Sequence, residues 1–197
     1  VSGQQPYKGR DRFAQKAKDE GYAARSVYKL EEIVAKTPIL RRGDRVVDLG
    51  CFPGSWSHFA AERIGDAGVL VGVDLQAPRI TGPTFLVASV YDVEADALRA
   101  ALGGPADVVL SDMAPNTAGD RIGDHLRQID LARRALELAT ALLRPGGAFV
   151  CKVFEGGEAK DFENEARAVF SDVRRIRPEA VRKVSKEWFL VATGFRR

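Results

Sequence analysis

Short apolar runs alternate along this chain with segments whose apolar residues return every three or four positions. The runs at 45–49, 69–73, 84–87, 107–111, 148–153, 173–177 and 188–194 read as strands, and 55–64, 93–102, about 124–143 and 158–170 as helices. Before them, "AARSVYKLEEIVAK" sets Val27, Leu30 and Val34 at helical spacing, with Tyr28 and Lys29 turned to other faces. In the long helix Ile129, Ala132, Leu136, Ala139 and Leu143 form one stripe that predicts a core face, ended by "RPGG". Alternation of this kind implies an α/β fold, a mostly parallel sheet with helices on both faces. The last two runs lack a helix between them, so they pair as an antiparallel hairpin at the sheet edge or insert within it.

A chain of 197 residues, 45% hydrophobic and 29% charged, suffices for one domain with a sizeable core. No apolar run approaches bilayer length and the first residues lack a secretory core, which predicts a soluble, cytoplasmic protein. Residues up to about 12 read as a basic mobile arm. Cys51 and Cys151 form no disulfide framework or metal cluster and read as small reduced residues; His58 and His125 are not spaced as ligands, and no metal is required. Net charge is +3, unevenly spread: +3 over 1–36, −5 over 37–170 and +5 over 171–197. Basic ends brought to one side would attract a phosphate backbone, although solvated terminal helices explain the same charges.

Open parallel sheets bind ligands beyond the carboxyl ends of their strands. Those ends carry Asp48, Leu49 and Gly50, then Asp74, then Asp112, then Lys152. Helix capping accounts for one or two such acids better than for the whole set. The turn "GCFPGSW" has no Lys-Ser/Thr pair after Gly54 and too few glycines for a dinucleotide fingerprint, so ATP hydrolysis and NAD binding are disfavoured. Gly50 would let a ligand approach the backbone, and Asp74, one βα unit later, could accept from ribose hydroxyls. An adenosine without pyrophosphate fits, and S-adenosylmethionine is the common ligand of that shape.

"ARSVYKLEEI", "VVDLGCFPGSWSHF", "VGVDLQ", "VLSDMAPNTAG", "LLRPGGAFVCKVFEG" and "SKEWFLVATGFR" occur in an order and at spacings that resemble the FtsJ/RrmJ family of ribosomal RNA 2′-O-ribose methyltransferases. The resemblance implies a Rossmann-like S-adenosylmethionine-dependent methyltransferase fold with a seven-stranded sheet. It implies a Lys-Asp-Lys-Glu tetrad at Lys29, Asp112, Lys152 and Glu187. It implies cofactor contacts at Asp48, Gly50, Phe52, Pro53, Gly54, Ser55, Trp56, Asp74, Leu75, Ser89, Val90 and again Asp112. Three departures stand out: Cys51-Phe52 where the family has small residues, Ser55 where it has glycine, and Ser89, with Asp92 nearby, where it has an Asp beside the adenine.

Methyl transfer to a ribose hydroxyl is an in-line displacement, so the acceptor oxygen must be held opposite the leaving sulfur. A lysine can stabilise the developing negative charge or, if neutral, act as the base. Carboxylates beside a lysine favour its charged form, so the electrostatic and orienting role is preferred for Lys152, with the base role second. Asp112 would hold Lys152, while Glu187 would orient Lys29 toward the ribose. Tyr28, Phe154 and Trp188 are candidates to stack a splayed base, with a core strand position the preferred reading of Trp188. "APNTAGDRIGDH" reads as a mobile loop or a plain connector. The expected substrate is a uridine of large-subunit ribosomal RNA, naked or within the assembled subunit, bound by a monomer. The rivals are an enzyme of this fold acting on transfer RNA or a small molecule, and a non-catalytic RNA-binding assembly factor.

Overall fold

The computed structural model describes residues 11–115 and 119–196. Seven strands build one sheet: β1 (Arg45–Leu49), β2 (Val69–Asp74), β3 (Thr84–Val87), β4 (Ala106–Ser111), β5 (Leu143–Phe154), β6 (Phe170–Ile176) and β7 (Glu187–Phe195), in the order β3-β2-β1-β4-β5-β7-β6. The first five are parallel and β7 runs antiparallel to both neighbours. Both alternatives for the last two strands are therefore realised together: they pair antiparallel, and β7 inserts between β5 and the edge strand β6.

The near-continuous apolar composition of the inner strands follows from burial on both faces. On one face Val47, Leu49, Val71, Val73, Val109 and Phe149 pack under α4 (Ala95–Leu102), α5 (Arg121–Leu142) and α6 (Ala159–Val169). On the other, Val46, Leu70, Leu110, Val150 and Phe189 pack under α1 (Arg12–Asp19), α2 (Val27–Lys36) and α3 (Ser55–Ile64). The stripe predicted for the long helix is buried throughout. Its last member, Leu143, opens β5 instead of closing α5, because "RPGG" continues as strand and Leu143 pairs with Ala106.

Three other differences have local causes. The arm expected to about residue 12 overlaps α1: Asp11 caps that helix by accepting from the N–H groups of Phe13 and Ala14, and residues 1–10 lie outside the described residues. Phe13 and Ala17 give α1 too little apolar content to announce it, and the helix is held by packing on Tyr28 and by Arg25, which reaches both Asp11 and the Ala180 carbonyl. In α2 the buried face is Val27, Tyr28, Leu30 and Ile33, with Val34 only half-buried, so Tyr28 is a core residue while Lys29, as expected, leaves that face. The segment "RIGDH", read as loop, is the start of α5, capped by Asp120 through the N–H groups of Ile122 and Gly123; Asn116, Thr117 and Ala118 lie outside the described residues.

Strand order reverses between β1 and β4, and the crevice beyond their carboxyl ends is where this topology places a ligand. Because α2 brings Lys29 to that crevice, the anchoring of α2 matters to it. Leu30 is fully buried. Leu30→Ala should cost about 2–5 kcal/mol of stability, read as a lower urea midpoint with unchanged slope.

Candidate active site

The β1–α3 turn forms because Gly50 adopts φ +79° and donates, with Cys51, to the Val73 carbonyl at 2.8 and 3.2 Å. A Cβ on Gly50 would lie 2.5 Å from Met113 Cγ, so the turn is pressed against the segment after β4. Asp74, at the end of β2, accepts from the N–H of Phe52 at 3.0 Å and of Gln76 at 3.1 Å. Each carboxylate oxygen keeps a lone pair for a further donor.

These strand ends enclose a cavity of about 460 Å³. Of the residues expected to bind a cofactor, Gly50, Phe52, Asp74, Leu75, Ser89, Val90 and Asp112 line it. Pro53, Gly54, Ser55 and Trp56 do not. Past Phe52 the chain turns into α3, where Ser55 is buried and Trp56 donates to the Ser26 carbonyl at 2.9 Å and packs on Phe189. Asp48 also lies behind the cavity, fully buried and accepting from the Ser57 hydroxyl at 2.6 Å.

The wall that sequence reasoning missed comes from Tyr91, Met113 to Pro115 and, on α5, Arg127, Asp130 and Leu131. Met113 to Pro115 could have been found, since they continue the "SDMAPN" motif. Arg127 and Asp130 are charged positions off the apolar stripe of α5, and only the packing of α5 beside β4 turns them to the cavity. Asp92 does not line it.

Beside the cavity the four tetrad residues meet. Lys152 Nζ donates to the Asp112 carbonyl at 2.6 Å and stands 3.2 Å from the Asp112 carboxylate. Lys29 Nζ lies 2.7 Å from Glu187 and 3.8 Å from the same Asp112 oxygen. Their side chains are only 7–15% exposed, so the charges act in a medium less screening than water. Gln128 of α5, fully buried and not foreseen, clamps the end of β5: its amide donates to the Lys152 carbonyl at 2.5 Å and its oxygen accepts from the N–H of Phe154 at 2.9 Å.

Of the stacking candidates, Tyr28 is buried with its hydroxyl donating to Glu20 at 2.7 Å, and Trp188 is buried with the Arg175 guanidinium 4.3 Å above its ring. Phe154 is half-buried. Both cysteines are free and buried, and burial pushes their thiols up, that of Cys151 to about 12, which removes them as nucleophiles. His58 pairs with Glu62 at 3.8 Å and His125 with Glu158 at 2.7 Å.

Burial pushes the Asp48 carboxyl up to about 7, opposed by the Ser57 hydroxyl and reinforced by the charges of Asp112 and Asp74. The unfolded chain loses this proton near pH 4. Between about pH 4 and 7 the folded state therefore holds a proton that the unfolded state has lost, and the Asp48 contribution to stability falls as pH rises. Relative to the parent, Asp48→Asn should gain stability from pH 5 to pH 8, on the order of a few kcal/mol in urea denaturation. A pH-independent difference would show that Asp48 is already ionised when folded.

The model of the family described as FtsJ-like methyltransferase matches residues 22–195. A protein of Desulfosudis oleivorans named ribosomal RNA large subunit methyltransferase E is 48% identical over 192 residues, covering 94% of this chain and 92% of its own. One of the same name from Myxococcus xanthus is 44% identical over 196 residues, covering 98% and 91%. Among solved structures, a Plasmodium falciparum protein described as a ribosomal RNA methyltransferase superposes with a TM-score of 0.79 at 25% identity, covering 88% of this chain and 98% of that one.

Proposed function

The chain belongs to the FtsJ-like methyltransferase family, and we infer that it transfers a methyl group from S-adenosylmethionine to a ribose 2′-hydroxyl of large-subunit ribosomal RNA. The observation that carries this reading is the meeting of Lys29, Asp112, Lys152 and Glu187 beside the strand-end cavity, which Asp112 also lines.

The cavity has the size of a small-molecule site, and its donor set suits an adenosine: Asp74 offers acceptors to ribose hydroxyls and Gly50 leaves the backbone approachable. Leu75, Ser89 and Val90 would flank the base. Asp48 and Pro53 to Trp56 would act from behind, by shaping the turn. When bound, S-adenosylmethionine supplies the methyl group from its sulfonium.

The tetrad handles the acceptor. Lys152 Nζ already meets two acceptors, the carbonyl and the carboxylate of Asp112, which is the arrangement of an ammonium donor. It would stabilise negative charge developing on the ribose oxygen as that oxygen takes the methyl group, the sulfur keeps the electron pair of the broken S–C bond, and the hydroxyl proton passes to water. Lys29, held by Glu187, would orient the ribose for in-line attack. Desolvation of the four groups strengthens each of these interactions.

The test is transfer of labelled methyl from S-adenosylmethionine to ribosomal subunits and transfer RNA taken from cells lacking the enzyme. Label on a ribose of large-subunit RNA is expected. Label on no RNA, despite tight cofactor binding, would move the reading to a small-molecule acceptor or a binding factor.

Lys152→Ala should lower kcat by roughly 10²–10³ while cofactor affinity changes little. Near-normal turnover would remove Lys152 from the chemistry. Asp74→Ala should weaken cofactor binding roughly tenfold or more, and unchanged affinity in calorimetry would undercut that assignment.

A further inference from the structure

A second cavity, of about 440 Å³, opens at the start of β7 and is lined by Glu155, Arg175, Arg177, Ser185, Lys186 and Trp188. It takes no part in the chemistry described above. Three of its six residues are cations and one is a carboxylate. Their pairing is uneven. Arg175 donates to Glu163 at 2.6 Å and lies 3.6 Å from Glu155, so its charge is matched within the protein. Arg177 instead donates to two backbone carbonyls, those of Glu187 at 2.9 Å and Ser185 at 2.6 Å. Carbonyls fix a guanidinium without neutralising it. Among the described residues no ion pair reaches Arg177 or Lys186.

The rest of the wall is also unusual for a solvated face. Trp188 is 4% exposed, carries Arg175 over its ring, and has a buried indole N–H with no partner among the described residues. The connection from Arg177 to Lys186 adds the exposed cations Arg182 and Lys183 and the 90% exposed Val184. A guanidinium held rigid and unneutralised beside a free ammonium is a phosphate site in its chemistry.

Its position says which phosphate. Lys186 and Trp188 flank Glu187 in sequence, and successive strand residues point to opposite faces. Glu187 turns to α2, where it holds Lys29, while Trp188 packs on the face covered by α4, α5 and α6. The N–H of Glu155 donates to the Lys186 carbonyl at 3.0 Å, so the cavity floor is tied to the strand end that carries Lys152. A chain whose ribose lay at Lys152 and Glu187 would have to cross the rim of β7 to bring a flanking phosphate to Lys186 and Arg177 on the other face.

We propose that this cleft holds the backbone phosphate of a nucleotide flanking the acceptor ribose, with Lys186 and Arg177 as its cations. The choice of RNA as ligand rests on the function inferred above. Arg177 bonds to the Glu187 carbonyl, so a loss there could act through the tetrad. Lys186 makes no such side-chain bond and is the cleaner probe.

The experiment is binding of deproteinised large-subunit ribosomal RNA across a series of salt concentrations by the full chain, by Lys186→Ala and Lys186→Glu, and by Arg177→Lys, which keeps the charge. Alongside it run steady-state methyl transfer and S-adenosylmethionine affinity. For Lys186→Ala the slope of log affinity against log salt should fall by about 0.7–0.9, one phosphate contact. KM for RNA should rise about fivefold while kcat and cofactor affinity stay within about twofold. Lys186→Glu should bind RNA more weakly still, and Arg177→Lys should keep the parental slope. A parental slope in both Lys186 variants overturns the proposal. So does a loss of transfer confined to assembled subunits with RNA binding intact, which would assign the cleft to a protein partner. Methyl transfer by the parent tests the function separately: a parent that binds RNA through Lys186 but transfers no label leaves the cleft standing and removes the enzymatic reading.

Discussion

One carboxylate, that of Asp112, stands between two lysine ammonium groups, 3.2 Å from Lys152 and 3.8 Å from Lys29. Removing four charged side chains from water is expensive, and their mutual attraction offsets the cost only if each has its partner in place. Two cations and two carboxylates nearly cancel, so no member carries its charge alone. Loss of one partner from such a set costs roughly 3–5 kcal/mol, because the other remains buried and uncompensated. The arrangement holds only while α2, β4, β5 and β7 keep their positions to within a hydrogen-bond length.

The sheet meets that requirement with its most buried strands. β4 and β5 lie side by side at its centre, with Ser111 paired to Cys151, which sets Asp112 and Lys152 next to each other as the strands end. β7 pairs Phe189 with Lys152 and Glu187 with Phe154, so Glu187 arrives at the same rim from the opposite direction. An antiparallel insertion is what lets a strand begin at the end where its parallel neighbours finish. Lys29 alone comes from outside the sheet, and α2 is fixed by its buried apolar face and by the bond from Trp56 to the Ser26 carbonyl. The tryptophan of the glycine turn thus serves the site as a brace between α3 and α2.

The features of the molecule that can be read from the chain are those with a local cause. β1, α3 and β3 end where the apolar runs end, and the stripe of α5 is the core face its spacing implied. The tetrad came by resemblance of motifs, and the structure brings all four residues together. What escaped had no local mark. Helix α1 has a polar sequence and stands on a cap and on contacts to Tyr28 and Arg25. Gln128 is a polar residue inside an amphipathic helix, and its role exists only because β5 ends beside it.

The sequence by itself determined the strand and helix alternation and spoke against phosphate-loop and dinucleotide turns, whereas the tetrad was legible only through its resemblance to family motifs. The reason is that apolar periodicity and turn chemistry act over a few residues. Tertiary structure decided the insertion of β7, the split of the glycine turn into a cavity half and a core half, the α5 wall of Arg127 and Asp130, and the unpaired cations at the rim. Each of these depends on which distant side chain arrives opposite, and hydrophobic pattern, which sets only inside against outside, carries no information about that partner.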